Sequence, residues 1–216
     1  MSFDTTIYLR RATSRAKSDV ANKLVSMFLH EISHRLVMQT GLSVTDNDYV
    51  EAVAATFSNN CGYCNCALEA DRAAIEHPDG MNRLRIGLHV PGNVIIACKR
   101  CNNEKRRDDS RQILDLAETG WESFLTHDST RCSDACKTCA YWRLVWINPA
   151  ERIANLKTSR QRLLDFRRNY SATLDWSERA RVELRDSVEK LYRDCQDFAI
   201  REIQTLVDSL FARVTT

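Results

Sequence analysis

The sequence predicts an α+β fold that is mainly helical, with a small cysteine-rich region between helical flanks. Three observations carry that expectation. Six glycines and three prolines among 216 residues leave few chain breaks, which favours long helices over a many-turned β fold. Apolar residues recur at helical spacing towards both ends of the chain. Between them, from Cys61 to about Trp146, lie most of the nine cysteines together with His77, His89 and His127. The expected organisation is a helical segment at 1–58, the cysteine-rich core at 59–147, and a helical hairpin at 148–216.

Taken in order, Thr5 to Arg10 is short and β-tolerant and reads as a strand. From about Ser18, residues Val20, Leu24, Met27, Phe28, Ile32, Leu36 and Val37 form one helical stripe, which Gly41 stops. Thr45 with Asp48 three residues on is a weak capping box for a second helix reaching Phe57. Asn148 can cap a third helix over about 149 to 168, with Pro149 at its first position, where a missing N–H is harmless. Asp175 with Glu178 suggests a further cap, followed by an apolar stripe from Ala180 to Val214. A helix from Trp176 to Val214 would be about 58 Å long and must bury that stripe. The preceding helix, a second copy in a homodimer, or an ATPase-type partner subunit would serve.

Composition narrows the function. The formal net charge is only +2, so no global basic field argues for a polyanionic partner. Six basic residues do fall between Lys99 and Arg111, against three acidic ones. No stretch approaches the roughly 18 apolar residues of a membrane span, and the N-terminus lacks a secretory apolar core. A cytoplasmic setting is therefore expected, in which cysteines stay reduced and short spacings between them point to metal.

Cys61-Gly-Tyr-Cys64 and Cys98-Lys-Arg-Cys101 supply four thiolates, the donor set of a closed structural zinc site. Cys66 is surplus to four-coordination and reads as a small buried side chain. Cys132, Cys136 and Cys139 offer three more thiolates within eight residues, one short of a zinc shell. His127 or Cys195 could complete them; the alternative is three metal-free cysteines. Trp121, Tyr141, Trp142 and Trp146 read as packing aromatics.

Between the first two pairs the chain reads Ala74-Ile75-Glu76-His77-Pro78, then Gly92-Asn93-Val94-Ile95-Ile96-Ala97-Cys98, and ends Cys101-Asn102-Asn103-Glu104-Lys105. This resembles the HNH endonuclease family, the zinc-containing ββα-metal nucleases, over about Cys61 to Arg107. The resemblance implies a zinc-stapled ββα core. It implies that His77 is the general base activating water, and that Glu76 and Asn102 present oxygen to one catalytic Mg²⁺ or Mn²⁺. Asn93 would brace the loop carrying His77. Glu76 stands where the family usually has Asp. Asn103 competes with Asn102, about 100° away on a helix. His89, four residues before Asn93, could instead be a ligand, but reads first as a loop or strand-end histidine. Lys99, Arg100, Lys105, Arg106 and Arg107 would contact the phosphate backbone of DNA. The expected activity is hydrolysis of DNA in restriction or phage defence. A non-catalytic zinc module binding nucleic acid or protein is the rival, and a zinc hydrolase of small molecules would need an open metal position.

Overall fold

A computed structural model describes residues 5–104 and 132–214 of the chain. It is mainly helical with a single two-stranded sheet, in the order α1 (Thr5–Thr40), α2 (Asn47–Phe57), β1 (Ala73–Glu76), β2 (Ile95–Cys98), α3 (Lys99–Glu104), α4 (Lys137–Val145), α5 (Pro149–Arg168) and α6 (Ser171–Val214). The strands pair antiparallel, with Ala73 opposite Cys98 and Glu76 opposite Ile95. Strand, strand and helix thus follow one another in the cysteine-rich region. No described helix is long and apolar enough to cross a membrane.

The caps explain most boundaries. Gly41 takes a φ of +71° and returns its N–H to Val37 O at 2.8 Å, ending α1 as expected. Asn148 Oδ1 accepts from Glu151 N–H at 3.1 Å, with Pro149 behind it, so α5 begins and ends as read. Three expectations fail. Thr5 to Arg10 is helix, because extending a formed helix costs little and weak β preference cannot stop it. Asp46, not Thr45, is the residue before α2, and its carboxylate accepts instead from Ser43 N–H. The last helix begins at Ser171, so Asp175 lies inside it; a two-residue turn at Asn169 and Tyr170 separates it from α5.

Two hydrophobic cores result. One joins α2, the strands and α5 through Tyr49, Phe57, Ile95, Leu156, Leu163 and Phe166, and it includes buried Cys61, Cys64, Cys98 and Cys101. The other packs α1 on α6 through Ala21, Val25, Leu29, Val188, Tyr192 and Cys195. Ile86, Leu88 and Val90 of the loop between the strands also belong to this second core.

Two corrections follow from the second core. The first part of the last helix's stripe, through Ala180, Leu184, Val188 and Cys195, lies on α1 rather than on the preceding helix. From Ile200 onward that helix is exposed, Leu206 at 69% and Leu210 at 59%. On α1 the expected face is buried only in part: Leu36 lies in the core and Phe28 and Ile32 pack against it, whereas Val20 and Met27 are half-exposed and Ala21, Val25 and Leu29 are buried beside them. Two apolar stripes lie side by side on this helix, and the partner helix selects between them.

Candidate functional site

The sulfur cluster forms at the foot of the sheet. Cys61 and Cys64 sit on the turn before β1, Cys98 ends β2, and Cys101 lies in the first turn of α3. Backbone N–H groups point at the sulfurs, Cys98 N at Cys61 Sγ (3.2 Å) and Cys101 N at Cys98 Sγ (3.4 Å). Such donors stabilise thiolate charge. Tetrahedral zinc, with Zn–S near 2.3 Å, spaces its sulfurs about 3.8 Å apart; Cys64 and Cys98 are 3.9 Å apart. The residues therefore fit zinc. Hydrogen bonding among the sulfurs, led by Cys101, lowers the Cys61 thiol pKa to about 4, and the same contact lowers Cys98 as well. Cys66 is not a bystander: its sulfur is 3.4 Å from Cys64 Sγ.

Cys132, Cys136 and Cys139 also converge, their sulfurs all within 4.8 Å of one another, and burial pushes the Cys139 thiol up to about 12. They are compatible with zinc as well. Cys195 is not among them; it is buried between α1 and α6, which removes it as the missing ligand. His127, Lys105, Arg106, Arg107 and Trp121 lie outside the described residues.

Glu76 and His77 leave the end of β1 in different company. Glu76 is buried and its Oε1 accepts from Tyr63 O–H at 3.3 Å. Burial, then the Glu76 charge, holds the Tyr63 phenol well above its ordinary range. His77 Nε2 meets His89 Nδ1 at 2.8 Å. His30 of α1 stands beside both rings, with centroids 5.2 Å from His89 and 6.3 Å from His77. Burial, then the neighbouring imidazole of His30, lowers the pKa of His89 and favours its neutral ring.

The loop beyond His77 is clamped by side chains. Asn93 Oδ1 accepts from Asp79 N–H at 2.7 Å, and Asn93 Nδ2 donates to Asp79 O (3.0 Å) and Leu88 O (2.8 Å). Arg167 of α5 pairs with Asp79 at 2.6 Å and also donates to Gly92 O and Asn93 Oδ1, both at 3.2 Å. His89 N–H donates to Ser33 Oγ at 2.8 Å, so α1 fixes the backbone of His89. Glycines permit the close approach. A Cβ on Gly87 would lie 1.7 Å from Asp79 O, and one on Gly92, at a φ of +87°, 2.7 Å from Tyr170 Cβ.

Asn102 is half-buried on α3, whereas Asn103 is exposed. Lys99 and Arg100 are exposed at the start of the same helix. The Lys99 ammonium donates to Asp71 O, and the Arg100 guanidinium stands 5.6 Å from the Trp146 ring. Trp146 also carries Arg152 at 4.2 Å, and Trp142 is buried, in keeping with packing roles.

Sequence reasoning gave no role to Cys66, His30, Ser33, Asp79 or Arg167 at this site, and it placed His89 as a bland loop residue. The only prior signal for His89 was its position near Asn93. Comparison with protein-family models, with curated proteins and with solved structures finds no match to the chain.

Proposed function

We propose that the chain is a divalent-metal-dependent endonuclease of HNH type acting on DNA, with His77 as its general base. The observation that carries this reading is the double clamp of Asn93 on Asp79, which braces the chain two residues beyond His77 at the end of a strand pair seated on a sulfur cluster. A bare zinc module has no need to brace a histidine in this way.

His77 Nε2 and His89 Nδ1 share one proton across 2.8 Å; in the tautomer that carries it on His77, the lone pair of His77 is left on Nδ1, the atom that would take the proton from water. The neutral His89 ring then stabilises the imidazolium that forms, as the third group of a nucleophile–base pair does. Glu76 and Asn102 would hold the catalytic Mg²⁺ or Mn²⁺, Glu76 exchanging its bond with Tyr63 for the ion. When bound, the ion stabilises charge on the scissile phosphate and the leaving 3′ oxygen. Lys99 and Arg100, with Lys105, Arg106 and Arg107, attract the backbone, so binding weakens steeply with salt. Restriction or phage defence is the setting in which such an enzyme would act.

The test is incubation of zinc-loaded protein with plasmid DNA and Mg²⁺ or Mn²⁺, beside His77→Ala. General base catalysis contributes about 10²- to 10⁴-fold, so the variant should nick at least 100-fold more slowly while keeping its zinc and its melting temperature. Equal cutting by His77→Ala would refute the assignment. No cutting by either protein, with DNA still retarded in a gel, favours the non-catalytic zinc module.

A further inference from the structure

The first metal centre is built from five sulfurs rather than four. Cys61, Cys64, Cys66 and Cys98 have their sulfurs mutually within 4.8 Å. Cys101 is fully buried against the same cluster, its N–H donating to Cys98 Sγ at 3.4 Å. Two sets of four therefore share Cys61, Cys64 and Cys98 and differ in the last member. The motif set ends in Cys101, and the set of mutually close sulfurs ends in Cys66.

Local backbone geometry brings Cys66 into reach. In an extended chain, residues two apart have their side chains about 7 Å from each other. Here Asn65, between Cys64 and Cys66, adopts a φ of +55°, in the left-handed region that Asn tolerates. Asn65 N–H donates to Cys61 O (2.9 Å) and Cys61 N–H to Cys66 O (2.8 Å), so the turn closes on itself. Arg162 of α5 donates to Asn65 Oδ1 at 2.7 Å and holds the bend from outside. The result is the 3.4 Å approach of the Cys66 and Cys64 sulfurs. A cysteine that merely filled space would not need a left-handed residue and a cross-chain arginine to aim it at a thiol.

We propose that the centre selects four of five sulfurs, with Cys66 and Cys101 as alternative fourth ligands to the zinc. In the exchange the Cys66 thiolate takes the metal, Cys101 leaves it, and the proton of the Cys66 thiol passes to the Cys101 sulfur; charge and oxidation state are unchanged. Cys66 is half-buried whereas Cys101 is sealed, so one form offers a sulfur near solvent and the other keeps the first turn of α3 tied to the metal.

Cobalt(II) substitution of the full chain tests this without reference to any activity, the Cys132 cluster adding a constant background. Cys101→Ser is expected to keep a four-sulfur cobalt spectrum and to hold zinc against a chelator within about tenfold of the parent. Cys66→Ser should do the same. Cys66→Ser/Cys101→Ser should lose about a quarter of the sulfur-to-cobalt charge-transfer intensity at this centre and at least 100-fold in zinc affinity. A three-sulfur spectrum already in a folded Cys101→Ser would overturn the proposal. Should Cys101→Ser not fold, ¹¹³Cd resonances of the parent chain decide. Besides any constant line from the Cys132 cluster, two resonances, or one exchange-broadened resonance, that become one sharp line in Cys66→Ser are expected. One sharp line unchanged by Cys66→Ser overturns it.

Discussion

The two cores are held together by different forces, and the candidate site lies along the seam between them. The strand core has five sulfurs converging beneath a sheet of only two strands, and two strands alone are marginal in water. The helix core has no such cluster; it rests on the apolar faces of α1 and α6. His77 leaves a strand of the first core, and its partner His89 sits between Leu88 and Val90, which are buried in the second. One core therefore sets where the imidazole begins, and the other sets what it meets. Function in such an arrangement depends on the register between the cores.

The sharpest way to break this division is to remove one shared sulfur. Cys61→Ser should weaken zinc binding at the first centre by at least 100-fold, and because structural zinc supplies on the order of 10 kcal/mol, the strand core should unfold at zinc concentrations that keep the parent folded. Hydrogen exchange would then show β1, β2 and α2 unprotected while α1 and the first half of α6 keep protection; simultaneous loss of both would mean that the cores are one unit. Leu29→Ala attacks the other side. It should cost about 2–5 kcal/mol, read by urea denaturation, with zinc content unchanged.

Asn93→Ala probes the seam itself. It leaves Asp79 N–H, Asp79 O and Leu88 O without their side-chain partner, so a loss of about 3 kcal/mol is expected, with faster amide exchange in 78–93 than in either core. The smallest effect should come from Asn148→Ala, about 1 kcal/mol by denaturation, because only the first turn of α5 loses a cap.

Local chemistry was legible before the structure; distant pairing was not. Gly41 and Asn148–Pro149 announced helix ends because each acts within a few residues of itself. The two C-x-x-C pairs announced a sulfur cluster compatible with zinc, since each pair is set by three residues of local chain. The pairing of α1 with α6 joins residues more than 130 positions apart, from Thr40 to Ser171 at the least, and nothing in either stripe names the other. The buried face of α1 was legible only in part because two stripes were available and only α6 decides between them. Cys66 escaped because its reach depends on one left-handed residue, and Asn is merely tolerant of that conformation. His89 escaped because the loop between the strands has no period from which to read direction. The bond of Arg167 with Asp79 likewise awaited the placement of α5.

At Gly87 two passes of the backbone run so near each other that even one methyl would have to occupy the volume of a carbonyl oxygen. Sequence drift is thus free at the rim of this loop, as at half-exposed Leu84, and barred at its waist. Descendants of this chain can re-dress the loop for another groove or another charge, but they cannot thicken it there.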